Sequence, residues 1–217
     1  MTPVTAQTSI YAVEAQSGAS GGHDAAPGFT FAPNANNFFN VLSTGATNCC
    51  GLGGPLTFPA DGADNGVGTN VTGINSLSSA VGNTVLPLLG VFIDSNTFNP
   101  LDTAPAILPW DATNPSSLAP LLNQVFYIGD GRAGLNDIAG TALSFQAPTN
   151  ANTLYLGFAD SFAFIGPPSF YADNPGSLDS AVTLNVRTPN PNQIPEPTTL
   201  ALMGLGVTGL GFRRKAA

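Results

Sequence analysis

Ala181-Val182-Thr183-Leu184-Asn185-Val186 is the stretch that decides the fold class. Val182, Leu184 and Val186 alternate with Thr183 and Asn185, the period of a strand with one apolar face. The apolar set is predicted to point inward and the polar pair outward. Shorter runs of strand character lie upstream at residues 38–42, 88–93, 124–128, 142–146 and 153–158. Gly, Pro and Asn clusters separate them, and these residues punctuate strands. No stretch of the body sustains a helical period; one short helical turn is expected at 116–122. Many short strands between turn residues predict an all-β chain folded as an antiparallel β-sandwich. Two packed sheets would bury Phe38, Phe92, Phe126, Phe145 and Phe158.

The 217 residues give room for one core of ordinary size. An apolar fraction of 43% can fill it, and 8% charged residues is far below what keeps a chain disordered. Gly (25) and Pro (19) make up about a fifth of the chain, so Asn, Ser, Thr and Gly must build much of the surface. The net charge is −8, and Arg213, Arg214 and Lys215 at the end leave only Arg132 and Arg187 as basic residues upstream. Such a body repels nucleic acid and attracts cations, Ca²⁺ among them. The same acidity also serves solubility alone.

Four segments follow. Residues 1–27 are small and polar, with a Ser/Gly run at 17–22 that reads as a flexible N-terminal segment. Residues 28–187 form the sandwich domain, 188–194 a Pro/Asn linker, and 195–217 a distinct tail.

Little in the body speaks for catalysis. His23, beside Asp24 in the N-terminal segment, is the one histidine, so a Ser-His-Asp triad or His-based metal site would rest on it. Lysine is absent from the body and no phosphate-binding glycine loop is present. Carboxylates are plentiful but unmarked as a pair, so the chain is expected not to be an enzyme, with a carboxylate-based hydrolase as the third reading. Cys49 and Cys50 are the two cysteines. They exclude a disulfide framework and leave three states open: buried apolar residues, a vicinal bridge, or an intermolecular one.

The tail reads Pro195-Glu196-Pro197, then an uncharged run from 198 to 212, then Arg213-Arg214-Lys215. At 15 residues the run is short for a span of about 20, but the basic cluster after it suits the positive-inside rule. Gly204, Gly206, Gly209 and Gly211 permit close helix contact in lipid. A hydrophobic anchor helix is expected here. This three-part segment closely resembles the PEP-CTERM sorting signal of Gram-negative bacteria. The resemblance implies an exported protein, held transiently in the inner membrane and handed by an exosortase to the cell surface or extracellular matrix. Residues 1–20 show neither the basic n-region nor the apolar h-region of a signal peptide. Either translation starts upstream, the chain is trimmed, or this copy is not exported.

One region of the body suggests a site. Asp160 follows the apolar run Leu154 to Ala159, and Asp173-Asn174 sit in the turn Tyr171-Ala172-Asp173-Asn174-Pro175-Gly176-Ser177 before the last strand. Neighbouring strand ends can gather such oxygens for Ca²⁺, which takes six to eight. Asp and Asn in turns also bond their own backbone with no ligand involved. Residues 84–186 resemble the C-terminal half of the LecA-type galactose-binding lectins, through Leu89 to Ile93, Phe145 to Pro148, Leu154 to Asp160 and Tyr171 to Ser177. That resemblance implies a jelly-roll-like sandwich with Ca²⁺ held by the side chains of Asp160, Asp173 and Asn174. It adds the Phe170 carbonyl and a carbonyl near Cys49. Phe162, Phe164 and Tyr171 in the following loop have two readings: rings that stack on the apolar face of a sugar, or rings that pin the loop to the sandwich. No histidine follows residue 23, so the resemblance supports Ca²⁺ more than galactose. The first reading is a non-catalytic, Ca²⁺-dependent carbohydrate-binding module whose partner is an extracellular polysaccharide or glycan. The second is a structural matrix or biofilm protein without sugar binding.

Overall fold

A computed structural model describes residues 1–18, 22–50, 57–64 and 66–188. Residues 189–194 of the expected 188–194 linker, the anchor helix and the sorting residues Pro195, Glu196, Pro197, Arg213, Arg214 and Lys215 lie outside the described residues. Residues Met1–Val186 form one compact unit. Its strands, in chain order, are β1 (Thr2–Thr5), β2 (Gly28–Thr30), β3 (Asn37–Thr47), β4 (Thr69–Val71), β5 (Ala80–Gly82) and β6 (Leu89–Ile93). They continue as β7 (Phe126–Tyr127), β8 (Phe145–Gln146), β9 (Thr153–Gly157), β10 (Ile165–Gly166) and β11 (Gly176–Val186). Apart from two short 3₁₀ turns at Phe162–Phe164 and Tyr171–Asp173, regular structure among the described residues is strand.

Two four-stranded antiparallel sheets, ordered β1-β11-β3-β8 and β2-β9-β6-β7, form the sandwich. Phe39, Val41 and Leu178 from the first sheet meet Phe92, Phe126, Leu154 and Leu156 from the second in a single core. Every residue of β6 is buried. Its Phe92 faces that core, while Leu89, Val91 and Ile93 face a second cluster with Ile10, Tyr11, Val13, Val71 and Leu77. A strand covered on both faces needs an unbroken apolar run, which is how Leu-Gly-Val-Phe-Ile reads. The outer cover includes a small sheet, β10-β4-β5, in which β10 and β4 run parallel.

The structure corrects four sequence expectations. Residues 1–18 and 22–27 are not a flexible lead-in: β1 pairs with β11 from Thr2↔Ser180 to Thr5↔Ser177, and Val4, Ile10, Tyr11 and Val13 are fully buried. Burial of those side chains outweighs the entropy that a Ser/Gly-rich segment suggests. Along β3 the inward residues are Asn37, Phe39, Val41 and Ser43, so Phe39 enters the core and Phe38 is half-buried. One step along a strand exchanges faces, and both residues are Phe. Residues 116–122 form no helical turn. Leu118 instead accepts from Gln146 and donates to Ser144, so the segment spends its backbone bonds on the chain at β8. Finally, Leu178 and Ser180 are buried on β11, but Leu184 and Val186 on the same alternation are 43% and 55% exposed. The remaining Phe side chains expected inside (Phe92, Phe126, Phe145, Phe158) are fully buried.

Candidate functional site

Three chain segments meet where β3 ends, β9 ends and β11 begins. The last pair of the β3–β11 ladder is Thr47↔Gly176, so the chain just after β3 lies beside the chain just before β11. Asn48 donates its backbone N–H to the Pro175 carbonyl at 3.0 Å, which fixes that junction. Cys49 and Cys50 follow and are joined by a disulfide, one of the three states the sequence left open. Past β9, Phe158 and Ala159 remain buried and Asp160 comes next at 3% exposure.

The Asp160 carboxylate is held by neutral donors. Asn174 Nδ2 donates to Oδ2 at 2.6 Å and the Ser161 N–H donates to Oδ1 at 2.7 Å. The Asp160 N–H donates to the Tyr171 hydroxyl at 3.0 Å, and that hydroxyl donates to the Phe158 carbonyl at 3.1 Å. Burial, with a smaller repulsion from Asp173, raises the Asp160 pKa to about 6 against the hydrogen bonds that favour the anion. Asn174 is 2% exposed, and its Oδ1 is the one buried side-chain oxygen or nitrogen among the described residues without a hydrogen-bond partner. Because one amide carries both atoms, that oxygen sits next to the nitrogen bound to Asp160.

A pocket of about 210 Å³ opens on this cluster, lined by Cys50, Asp160, Ser161, Phe162, Ala163, Phe170 and Asp173. Cys50, Ala163 and Phe170 all have positive φ (69°, 51° and 67°). Left-handed backbone is costly for residues with a side chain, and strain of this kind collects at ligand sites. The Phe162 and Phe170 rings, 72% and 49% exposed, pack with centroids 5.6 Å apart.

The structure thus brings together Asp160, Phe170, Asp173 and Asn174, while Cys49 is buried and its neighbour Cys50 lines the pocket. Two of the three proposed sugar-facing aromatics are displaced. Phe164 (5% exposed) and Tyr171 (0%) belong to the core, and only Phe162 is open to solvent. Phe170, read only as a carbonyl donor, contributes an exposed ring. Sequence reading also missed the underside of the site. Ala6 donates to the Gly176 carbonyl, Gln7 Nε2 donates to the Ala172 carbonyl at 3.1 Å, and Asn174 Nδ2 reaches the Ala6 carbonyl at 3.4 Å. No local signal in residues 1–18 marks these contacts.

His23 takes no part in a triad: its Nε2 accepts from the Gly18 N–H, and its ring meets the edge of Tyr171 with centroids 6.4 Å apart. A second buried carboxylate, Asp61, is fully engaged by the Tyr127 hydroxyl (2.7 Å) and the Asp130 (2.8 Å) and Asn136 (2.7 Å) N–H groups. It ties a turn to the sandwich and is closed to ligand. Among the described residues no three His, Cys, Asp or Glu side chains cluster as metal ligands. The groups gathered at Asp160, Asp173 and Asn174 offer oxygen atoms, the ligand type that a hard cation takes.

Comparison with known proteins bears on the tail. A family model described as the PEP-CTERM protein-sorting motif matches residues 193–215. The motif implies an exported protein that is anchored transiently in a membrane while an exosortase processes it. No curated protein and no solved structure matches the chain. Among the described residues no helix is long and apolar enough to cross a membrane.

Proposed function

We propose that the exported body is a non-catalytic, Ca²⁺-dependent carbohydrate-binding module, a jelly-roll-like sandwich displayed on the cell surface or in the extracellular matrix. The observation that carries the reading is the orphaned Asn174 Oδ1 beside the buried Asp160 carboxylate. A buried carboxylate with only neutral partners and an unpaired buried oxygen next to it are both costly. One cation answers both costs. Asp160, Asp173 and Asn174 would give side-chain oxygens, with backbone carbonyls at Phe170 and near Cys49 adding to the shell. The exposed rings of Phe162 and Phe170 offer the flat apolar surface on which the C–H face of a sugar stacks. Affinity for a single sugar would be modest, and many copies on one surface would supply avidity.

Calorimetry of the metal-stripped protein tests this in two steps. Ca²⁺ should bind with one site per chain. Soluble polysaccharides should then bind only when Ca²⁺ is present. Ca²⁺ binding with no glycan response would favour the second reading, a structural matrix protein whose sandwich carries a stabilising ion. No Ca²⁺ binding would end the module reading.

A further inference from the structure

Among the described residues, the outer edge of β11 is unpaired along half its length. β1 covers residues Ser177 to Ser180, and among the described residues no strand pairs with that edge from Ala181 to Val186. The parity of the backbone can be read from its bonds. Ala6 donates to the Gly176 carbonyl on the β1 side, so even-numbered residues of β11 direct N–H and C=O to the outer edge. Pro3, which has no N–H, sits opposite the odd-numbered Asp179, as this parity requires. The Ser43 N–H, opposite Ser180, bonds away from β11 to Asp130, which agrees. Val182, Leu184 and Val186 therefore present their backbone groups to the open edge. Thr183 and Asn185 spend theirs on β3.

Natural edge strands block pairing with charges, Pro or bulges. Residues 181–186 contain no charged residue, no Pro and no Gly. Their β-branched and apolar content is what pairs best. The edge is also complementary to itself. A two-fold axis through Leu184 sets Leu184 opposite Leu184 and Val182 opposite Val186 as hydrogen-bonded pairs. It also sets Thr183 opposite Asn185 on the other face. Leu184 and Val186, 43% and 55% exposed, would then lie in one apolar ladder across the joint.

We propose that this edge is a self-association surface, where a second copy of the chain adds antiparallel to residues 182–186 and continues the β1-β11-β3-β8 sheet through a two-fold axis. One short strand pair buries less than a stable dimer needs, so the joint is weak in solution and gains from crowding on a surface.

The test uses the full chain in mild detergent, from about 10 µM to about 1 mM, the range suited to a small joint. Analytical ultracentrifugation gives the mass, and amide hydrogen exchange resolved by NMR gives the edge. The mass should rise toward two chains. Exchange at Val182, Leu184 and Val186 should slow by about tenfold or more with concentration. Thr183 and Asn185 should stay protected throughout. Leu184→Lys should remain one chain with fast exchange at 182 and 186. Continued protection of Thr183 and Asn185 in that variant shows that β11 is still folded onto β3. Three results would overturn the proposal. They are protection of the even amides at every dilution, association that Leu184→Lys leaves intact, and a single chain at the highest concentration.

Discussion

Asn174 Nδ2 donates to Asp160 Oδ2 at 2.6 Å, joining the turn before β11 to the chain just past β9, while Oδ1 of the same amide has no partner. The bond fixes the amide but satisfies only half of it. Both residues are buried, and the arrangement is suited to a cation that completes the missing contacts.

The carboxylate should matter in opposite directions with and without metal. Asp160→Asn removes a buried charge, so the metal-free variant should melt no lower than the parent by more than a few degrees. Ca²⁺ at about 100 times its dissociation constant contributes about 2.7 kcal/mol, or about 5–10 °C for a domain of this size. That rise should be present in the parent and absent in Asp160→Asn by differential scanning calorimetry. A full Ca²⁺ response in the variant would remove Asp160 from the site.

Acid should act on the same group. The folded-state pKa of Asp160 is raised to about 6, and Asp130, desolvated and repelled by Asp61, is raised to about 6 as well. A carboxyl whose pKa is higher folded than unfolded binds its proton more tightly when folded. Metal-free stability should therefore fall as pH rises from about 4 to about 6 and level off above that. Ca²⁺ affinity should run the other way, weakening as pH drops below about 6, because the ion must displace the Asp160 proton. Melting curves across pH 4–8, with EDTA and with Ca²⁺, check both slopes.

How much of this was legible in the sequence depended on whether the deciding contact was local. The alternation of Val182, Leu184 and Val186 identified a strand, and the positions of Asp160, Asp173 and Asn174 at strand ends foretold their meeting. Burial was less readable. Phe38 and Phe39 are chemically identical neighbours, and only the register of β3 against β11 selects Phe39 for the core. Phe162, Phe164 and Tyr171 all read as aromatics in a loop, yet the 3₁₀ turns send two of them inward and expose Phe162. The N-terminal segment was misread because its contacts, such as Gln7 to Ala172, span nearly the whole chain.

Tyr171 supports the site from beneath without touching a ligand. Tyr171→Phe keeps the ring in the core and removes the hydroxyl that accepts the Asp160 N–H. One buried donor left unpaired costs about 1–3 kcal/mol. The melting temperature should fall by about 2–10 °C, and Ca²⁺ affinity should weaken with it. An unchanged midpoint would show that the Asp160 N–H finds another partner.

The vicinal disulfide offers a cleaner separation of site from fold. Dithiothreitol supplies two electrons and two protons, cleaving the Cys49–Cys50 bond into two thiols and becoming the oxidised cyclic disulfide. A bridge between adjacent residues closes almost no loop, so reduction should move the metal-free midpoint by only a few degrees. It frees the backbone at Cys50, which lines the pocket, so the Ca²⁺-dependent rise should shrink. Calorimetry with and without reductant measures both, and an intact Ca²⁺ response after reduction would make the bridge irrelevant to the site.

The most direct measurement is a crystal structure of the protein grown with Ca²⁺. One ion should lie within about 2.3–2.6 Å of oxygens from Asp160, Asp173 and Asn174, with the Asn174 Oδ1 no longer alone. Crystals grown in ample Ca²⁺ that show the Asp160–Asn174 pair bonded only to each other, with no ion between the two turns, would contradict it.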